Sequence, residues 1–196
     1  YNNTLNSETP SRFFFQPNPY LLSPLFNHES FKFKISKESI YNFWDKNLSL
    51  KEKNSIHNFL WLNLIDRKTK VKIVQQIIEY WILKYGNYKK DVWNENIIGK
   101  RIIAWISNSE MILSNNQKEF EKKFFHCLIK QINFIKKNLK TFSHDTTKIS
   151  SVSAIILSGL VFKEYYPNYN FGMKELKKII INFFDKDGFP KNRNLE

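Results

Sequence analysis

From about Ser49 onward the apolar residues recur at three- and four-residue steps, a spacing that gathers them on one face of an α-helix and on no face of a strand. Five glycines and six prolines in 196 residues leave too few turn formers for a β-rich, turn-dense fold. Strands are few at best; residues 31–35 alternate, but the run is short. Before the periodic region the pattern differs. Pro10, Pro17, Pro19 and Pro24 prevent a continuous helix, while Phe13, Phe14, Phe15, Tyr20, Leu21 and Leu22 supply apolar anchors. Residues 1–37 are therefore expected to form an irregular segment wrapped over a helical body built from residues 38–196.

Caps and breakers divide that body. Ser49 can cap a helix running through Leu50, Ile56, Phe59, Leu60, Leu62 and Leu64. Asp66 or Thr69 can start the next, with Val71, Val74, Ile77, Ile78, Trp81 and Ile82 on its stripe and Gly86-Asn87 as its stop. A third covers about 96–107. After the break at Ser114-Asn115-Asn116, a long helix of about 117–139 repeats Phe120, Phe124, Cys127, Leu128, Gln131, Phe134 and Ile135. A polar stretch, 140–148, separates it from helices of about 149–165 and 170–184. The expectation is an all-α fold of six or seven helices in antiparallel pairs, without a fixed-period repeat.

Composition excludes several functions and weakens one inference. The single cysteine, Cys127, lies on an apolar stripe, which rules out an internal disulfide framework and a Cys-rich zinc site. His28, His57, His126 and His144 include no pair at helical ligand spacing, and no HExxH, phosphate-binding Gly-rich loop or GxSxG elbow occurs. No apolar run approaches the ~20 residues of a membrane span. Because the chain begins at Tyr1 and stops abruptly at Glu196, it reads as a segment of a larger protein. The net charge of +13 permits nucleic acid, a membrane surface or an acidic polymer. Of the 31 basic residues, however, 27 are Lys, beside 23 Asn, 23 Ile and two Ala, a bias that A/T-rich codons produce without any anionic partner.

The four arginines escape that bias, and Arg101 falls in an aromatic neighbourhood. Tyr85, Tyr88, Trp93, Lys100, Arg101 and Trp105 lie close together around a helix–loop–helix. Indole and phenol rings offer flat apolar faces to sugars, and Arg and Lys bind carboxylate or sulfate. The same tryptophans equally suit packing between helices, as a buried, hydrogen-bonded role suits His57 beside Phe59 and Leu60.

These residues carry a family resemblance. The run Ile56-His57-Asn58-Phe59-Leu60-Trp61-Leu62, then Ile78-Glu79-Tyr80-Trp81-Ile82, then Trp93 and Arg101-Ile102-Ile103-Ala104-Trp105-Ile106 resembles the N-terminal α/α-toroid of heparinase II/III-like polysaccharide lyases. That family shows a His-x-Phe-x-Trp-Leu helix, a Trp-Ile helix end, and an Arg-Leu/Ile-x-x-Trp helix after a lone Trp. Asp187-Gly188 with Arg193-Asn194 resembles its Asp-Gly-Gly-x-x-x-Arg-Ser/Asn-Pro stretch, although Phe189 replaces the second Gly and Leu195 the Pro.

The resemblance implies an incomplete α/α toroid, with a β-sandwich lyase domain expected beyond residue 196, and β-elimination on a uronic-acid polysaccharide of heparin-like or alginate-like type. Such a reaction removes the proton α to the sugar carboxylate and expels the substituent at C4, which requires a neutralised carboxylate, a base and an acid. The implied substrate-binding residues are Trp93, Arg101, Trp105, Arg193 and Asn194. The implied catalytic residue is His144, in Ser143-His144-Asp145-Thr146-Thr147, where the family has an Asn-His pair and this chain has no Asn. The family's Tyr falls just beyond Glu196. No cofactor is expected in this segment; the resemblance allows a metal ion in the β-sandwich. The expected partner is an anionic polysaccharide rather than nucleic acid or membrane; oligomeric state and compartment stay open, the resemblance alone favouring periplasm over cytoplasm. The alternative from another class is a non-catalytic helical module that binds an anionic polysaccharide or a partner protein.

Overall fold

The computed structural model describes residues 1–16, 44, 48–65, 71–114, 117–143, 145–189 and 191. Among these it contains seven α-helices and no strand. They are α1 (Leu50–His57), α2 (Val71–Tyr85), α3 (Ile98–Ser107), α4 (Ser109–Ile112), α5 (Lys118–Asn138), α6 (Asp145–Val161) and α7 (Pro167–Phe183). Short 3-10 turns occupy Asn2–Leu5, Leu60–Leu64, Leu139–Thr141 and Lys163–Tyr165.

Local chemistry explains the helix ends. Ser49 closes a capping box on α1: its Oγ accepts the Glu52 N–H at 3.4 Å, and the Glu52 carboxylate accepts the Ser49 N–H at 2.9 Å. Helix α5 carries Glu119 and Glu121 in its first turn and Lys136 and Lys137 in its last, which suits both ends of the helix dipole. The expected stripe of α5 is buried throughout, together with Phe125, Ile129 and Ile132. This wide apolar face lets α5 pack against α2, α3 and α6. Helix α6 lies between α3 and α7 and pairs most extensively with α7.

Two of those contacts depend on glycine. A Cβ on Gly159 of α6 would come within 2.3 Å of the Tyr169 backbone nitrogen in α7. One on Gly99 of α3 would meet the Ser150–Ser151 backbone of α6 at 2.7–2.9 Å. The helices approach so closely that no side chain fits between them.

The boundaries differ from the expected ones at several points. The first helix does not reach Leu64; it ends at His57, and Phe59 takes a left-handed backbone (φ 61°) before the 3-10 turn. Asn58 favours the break, because its Oδ1 accepts the Leu60 N–H at 2.8 Å and so competes with helical bonding. Helix α6 starts at Asp145 and stops at Val161, and α7 starts at Pro167 rather than Asn170. Proline lacks the N–H that the first turn leaves unused, and its fixed φ preforms that turn. The expected caps Asp66 and Thr69 and the break at Asn115-Asn116 lie outside the described residues.

Residues 1–16 are irregular apart from one 3-10 turn, and they lie across the helices. Leu5 is completely buried. The Asn133 amide of α5 donates to the Leu5 carbonyl at 2.9 Å and to Ser7 Oγ at 2.8 Å. Further on, the Phe14 N–H donates to the Val161 carbonyl at 2.7 Å, and Phe13 stacks on Phe162 at 4.9 Å. The remainder of the expected irregular segment, 17–37, lies outside the described residues.

The close helix contacts give a direct test. Gly159→Ala and Gly99→Ala are each expected to lose about 2–3 kcal/mol in thermal unfolding through forced separation of the helices. Gly188→Ala, where a Cβ meets nothing within 4 Å but φ is +83°, is expected to lose only about 1 kcal/mol. Equal losses at all three positions would contradict the packing described.

Candidate functional site

Four of the segments that carry the family resemblance, 56–62, 78–82, Trp93 and 101–106, are brought together by the fold. Positions 101 and 105 of α3 are four residues apart and so share a face. On that face Arg101 and Trp105 meet Trp81 of α2: the guanidinium carbon sits 4.4 Å from the Trp81 ring, and the two indoles meet edge-on at 5.3 Å. Phe59 completes the group, 5.4–5.6 Å from Trp44, Trp61, Trp81 and Trp105. A bulky residue in the left-handed region costs on the order of 1–2 kcal/mol. Burial of the ring among four indoles offsets that strain.

Arg101 is 0% exposed and has no carboxylate partner among the described residues. Its Nε donates to Gln131 Oε1 of α5 at 2.5 Å. Its Nη1 donates to the carbonyls of His57 at 3.1 Å and Val92 at 3.0 Å. Its Nη2 has no hydrogen-bond partner among the described residues, and neither has Trp105 Nε1. One guanidinium thus ties α3 to the end of α1, to the α2–α3 loop and to α5. Burial pulls its pKa down to about 9, which leaves it charged at neutral pH.

His57 is the second polar member. Its Nδ1 accepts the Trp81 Nε1–H at 3.0 Å, which places the proton of the neutral ring on Nε2. Burial, then the charges of Arg101 and Lys53, depress its pKa to about 3. The Tyr85 and Trp44 rings pack on it at 5.1 Å. Trp93 is tied in by its indole N–H, which donates to the Tyr85 carbonyl at 2.7 Å. Cys127 is buried beside Arg101 with its thiol pushed up to about 12 by that burial, so it is not a nucleophile at neutral pH.

The placement corrects one expectation. Trp93, Arg101 and Trp105 do not line a surface cleft: Trp93 is 1% exposed and the other two 0%. They are core residues because each polar group they carry, apart from the two donors named above, is spent on an internal acceptor. His144, Arg193 and Asn194 lie outside the described residues. Beside His144, the Ser143 N–H and hydroxyl both donate to the Glu95 carboxylate, at 2.6 and 2.5 Å, which pins the chain ahead of α6 to the α2–α3 loop. The role of Gln131 as acceptor for Arg101 was not read from the sequence; its signal was a polar residue on an otherwise apolar stripe. Glu95 carried no such signal.

Among the described residues no group of three or more His, Cys, Asp or Glu is placed to hold a metal ion, and no helix is long and apolar enough to cross a membrane. No protein-family model matches the chain, and no curated protein or solved structure matches it either.

Two predictions concern this cluster. An unfolded chain's imidazole takes up a proton near pH 6.5 and the folded His57 only near pH 3, so below 6.5 the unfolded state binds more protons. Stability is therefore fully present above that pH and falls, by on the order of 4 kcal/mol, as the pH drops towards 3. His57→Gln, which keeps an acceptor for Trp81 and does not titrate, is expected to flatten this part of the urea-unfolding profile; an unchanged slope would locate the acid sensitivity elsewhere. Arg101→Lys, whose single nitrogen cannot occupy both the Nε and the Nη1 positions, is expected to cost about 3 kcal/mol in the same assay at pH 7.

Proposed function

We propose that this chain is the α/α-toroid part of a heparinase II/III-like polysaccharide lyase, which holds a uronic-acid polysaccharide for β-elimination. One observation carries the reading. The residues on which the resemblance rests, His57, Trp61, Trp81, Trp93, Arg101 and Trp105, belong to separate segments and yet converge on one interior cluster. Helices that follow one another in sequence and pack as neighbours, as α6 and α7 do, suit a toroid of antiparallel pairs.

In this reading the cluster is the frame and not the binding surface. It fixes the α2–α3 loop and, through Glu95, the segment ahead of α6 in which His144 stands. His144 is the proposed proton-handling group, with Arg193 and Asn194 beside the polymer.

A second reading has its own support. All three described candidates are buried, and the segment 143–147 lacks the Asn that the family uses, which favours a helical module that binds an anionic polysaccharide or a partner protein without chemistry.

The two readings separate in one assay. Protein carrying this chain within its full-length context is mixed with heparan-type, alginate-type and other uronic-acid polymers, and the ultraviolet absorbance of the C4–C5 double bond is followed. The lyase reading predicts a rise with at least one polymer and its loss in His144→Ala. Binding without any rise, by a demonstrably folded protein, would overturn it in favour of the binding module.

A further inference from the structure

A second aromatic group lies on the outside of the bundle, along α5. Lys130, Phe134 and Asn138 follow one another at four-residue steps, with Lys137 three residues after Phe134, so the four share one helix face. Phe134 is buried, and two tyrosines cover it. Tyr88, from the α2–α3 loop, stacks on it at 5.4 Å with 27° between the planes. Tyr1 stands edge-on to both, 5.1 Å from Tyr88 and 6.4 Å from Phe134. Both tyrosines reach solvent, Tyr88 at 37% and Tyr1 at 53% exposure.

The pair is held in place. Asn138 Nδ2 donates to the Tyr1 hydroxyl at 2.8 Å, and Asn2 Oδ1 accepts the Tyr88 N–H at 2.8 Å. One ammonium group stands beside the ring pair. Lys137 Nζ is 5.3 Å from the centre of the Tyr1 ring and donates to Thr4 Oγ1 at 2.9 Å. Lys130 is itself buried, 6% exposed, and its Nζ donates to Asn87 Oδ1 at 2.6 Å, which braces the loop next to Tyr88 from below. Neither lysine makes an ion pair among the described residues. Two turns of helix, about 10 Å, separate their positions.

We propose that Tyr88 and Tyr1, with Lys137 beside them, form a subsite for an anionic saccharide. The ring surfaces meet the apolar C–H face of a sugar, and the Lys137 ammonium meets its carboxylate or sulfate. A single-stranded nucleic acid is the competing ligand, since bases also stack on tyrosines beside lysines. The geometry disfavours it. The inner face of Tyr88 is taken by Phe134, and the two tyrosine planes stand at 64°, so they offer successive bases no parallel steps. The subsite rests on the anionic-polysaccharide reading above and gives it a location that the buried candidates do not.

The test is calorimetric titration of the folded chain with heparin-derived oligosaccharides, which carry sulfate, and oligo-alginates, which carry carboxylate alone, with oligouridylate as the nucleic-acid arm. Wild type is expected to bind at least one saccharide, and the arm that binds identifies the anion. Tyr88→Ala is expected to weaken it about tenfold and Tyr88→Phe to retain it. Lys137→Gln is expected to weaken binding several-fold, and Lys178→Gln on α7 to leave it unchanged, with circular-dichroism melts confirming the fold of each variant. Saccharide binding that survives Tyr88→Ala and Lys137→Gln would overturn the subsite and leave the general reading standing. No saccharide binding by wild type would overturn both. Tighter binding of oligouridylate, lost in the same variants, would replace the saccharide by nucleic acid.

Discussion

A charged guanidinium with no carboxylate partner among the described residues sits at the centre of this structure. Removing a cation from water costs several kcal/mol even after the surroundings relax. That cost is tolerable only where dipoles and π-electrons stand ready around the charge. Arg101 finds them in two backbone carbonyls, the Gln131 amide oxygen and the Trp81 ring. Each partner comes from a different part of the chain, so the arrangement holds only when α3, α5, the end of α1 and the α2–α3 loop are all in place. Removing any one partner leaves a buried cation short of compensation. The interaction thereby couples segments that apolar contact alone would leave free to slide.

Other features are consequences of that demand. The His57 carbonyl reaches Arg101 because α1 stops there, and α1 stops there because Asn58 and the left-handed Phe59 turn the chain inward. The same turn brings the His57 ring to the Trp81 N–H. A protonated imidazole could not accept that bond and would stand beside Arg101, so the folded site keeps His57 neutral. The Val92 carbonyl fixes the α2–α3 loop from within, while Asn2, Asn87 and Tyr88 fix it from outside against α5. A loop held on both sides can present side chains to a ligand without paying to order them on binding.

The helical class and most of the core were legible from spacing alone, because a 3.6-residue period is written directly into residues such as Phe120, Phe124, Leu128 and Ile135. The box at Ser49 was legible as a cap because its chemistry is local. Boundaries set by longer-range contact were not. Phe59 continues the apolar period, so the sequence carries no sign that its backbone turns left-handed to meet four tryptophans. Arg101 stood out as one of four arginines in a lysine-rich chain, but its direction did not. Arginine on an amphipathic helix ordinarily reaches water, and only the convergence of Trp81, Gln131 and two carbonyls turns it inward. For the same reason the exposed pair Tyr1 and Tyr88, far apart in sequence, left no joint signal.

Indole hydrogen exchange tests the central claim most directly. If the Arg101 cluster is the point on which the fold depends, the Nε1–H of Trp81 and of Trp93, bonded to His57 and to the Tyr85 carbonyl, exchange only when the whole molecule unfolds. Their exchange free energies then equal the global unfolding free energy and fall with it in Arg101→Lys. Exchange of either indole through local openings well below the global value, unaffected by that substitution, would contradict the account.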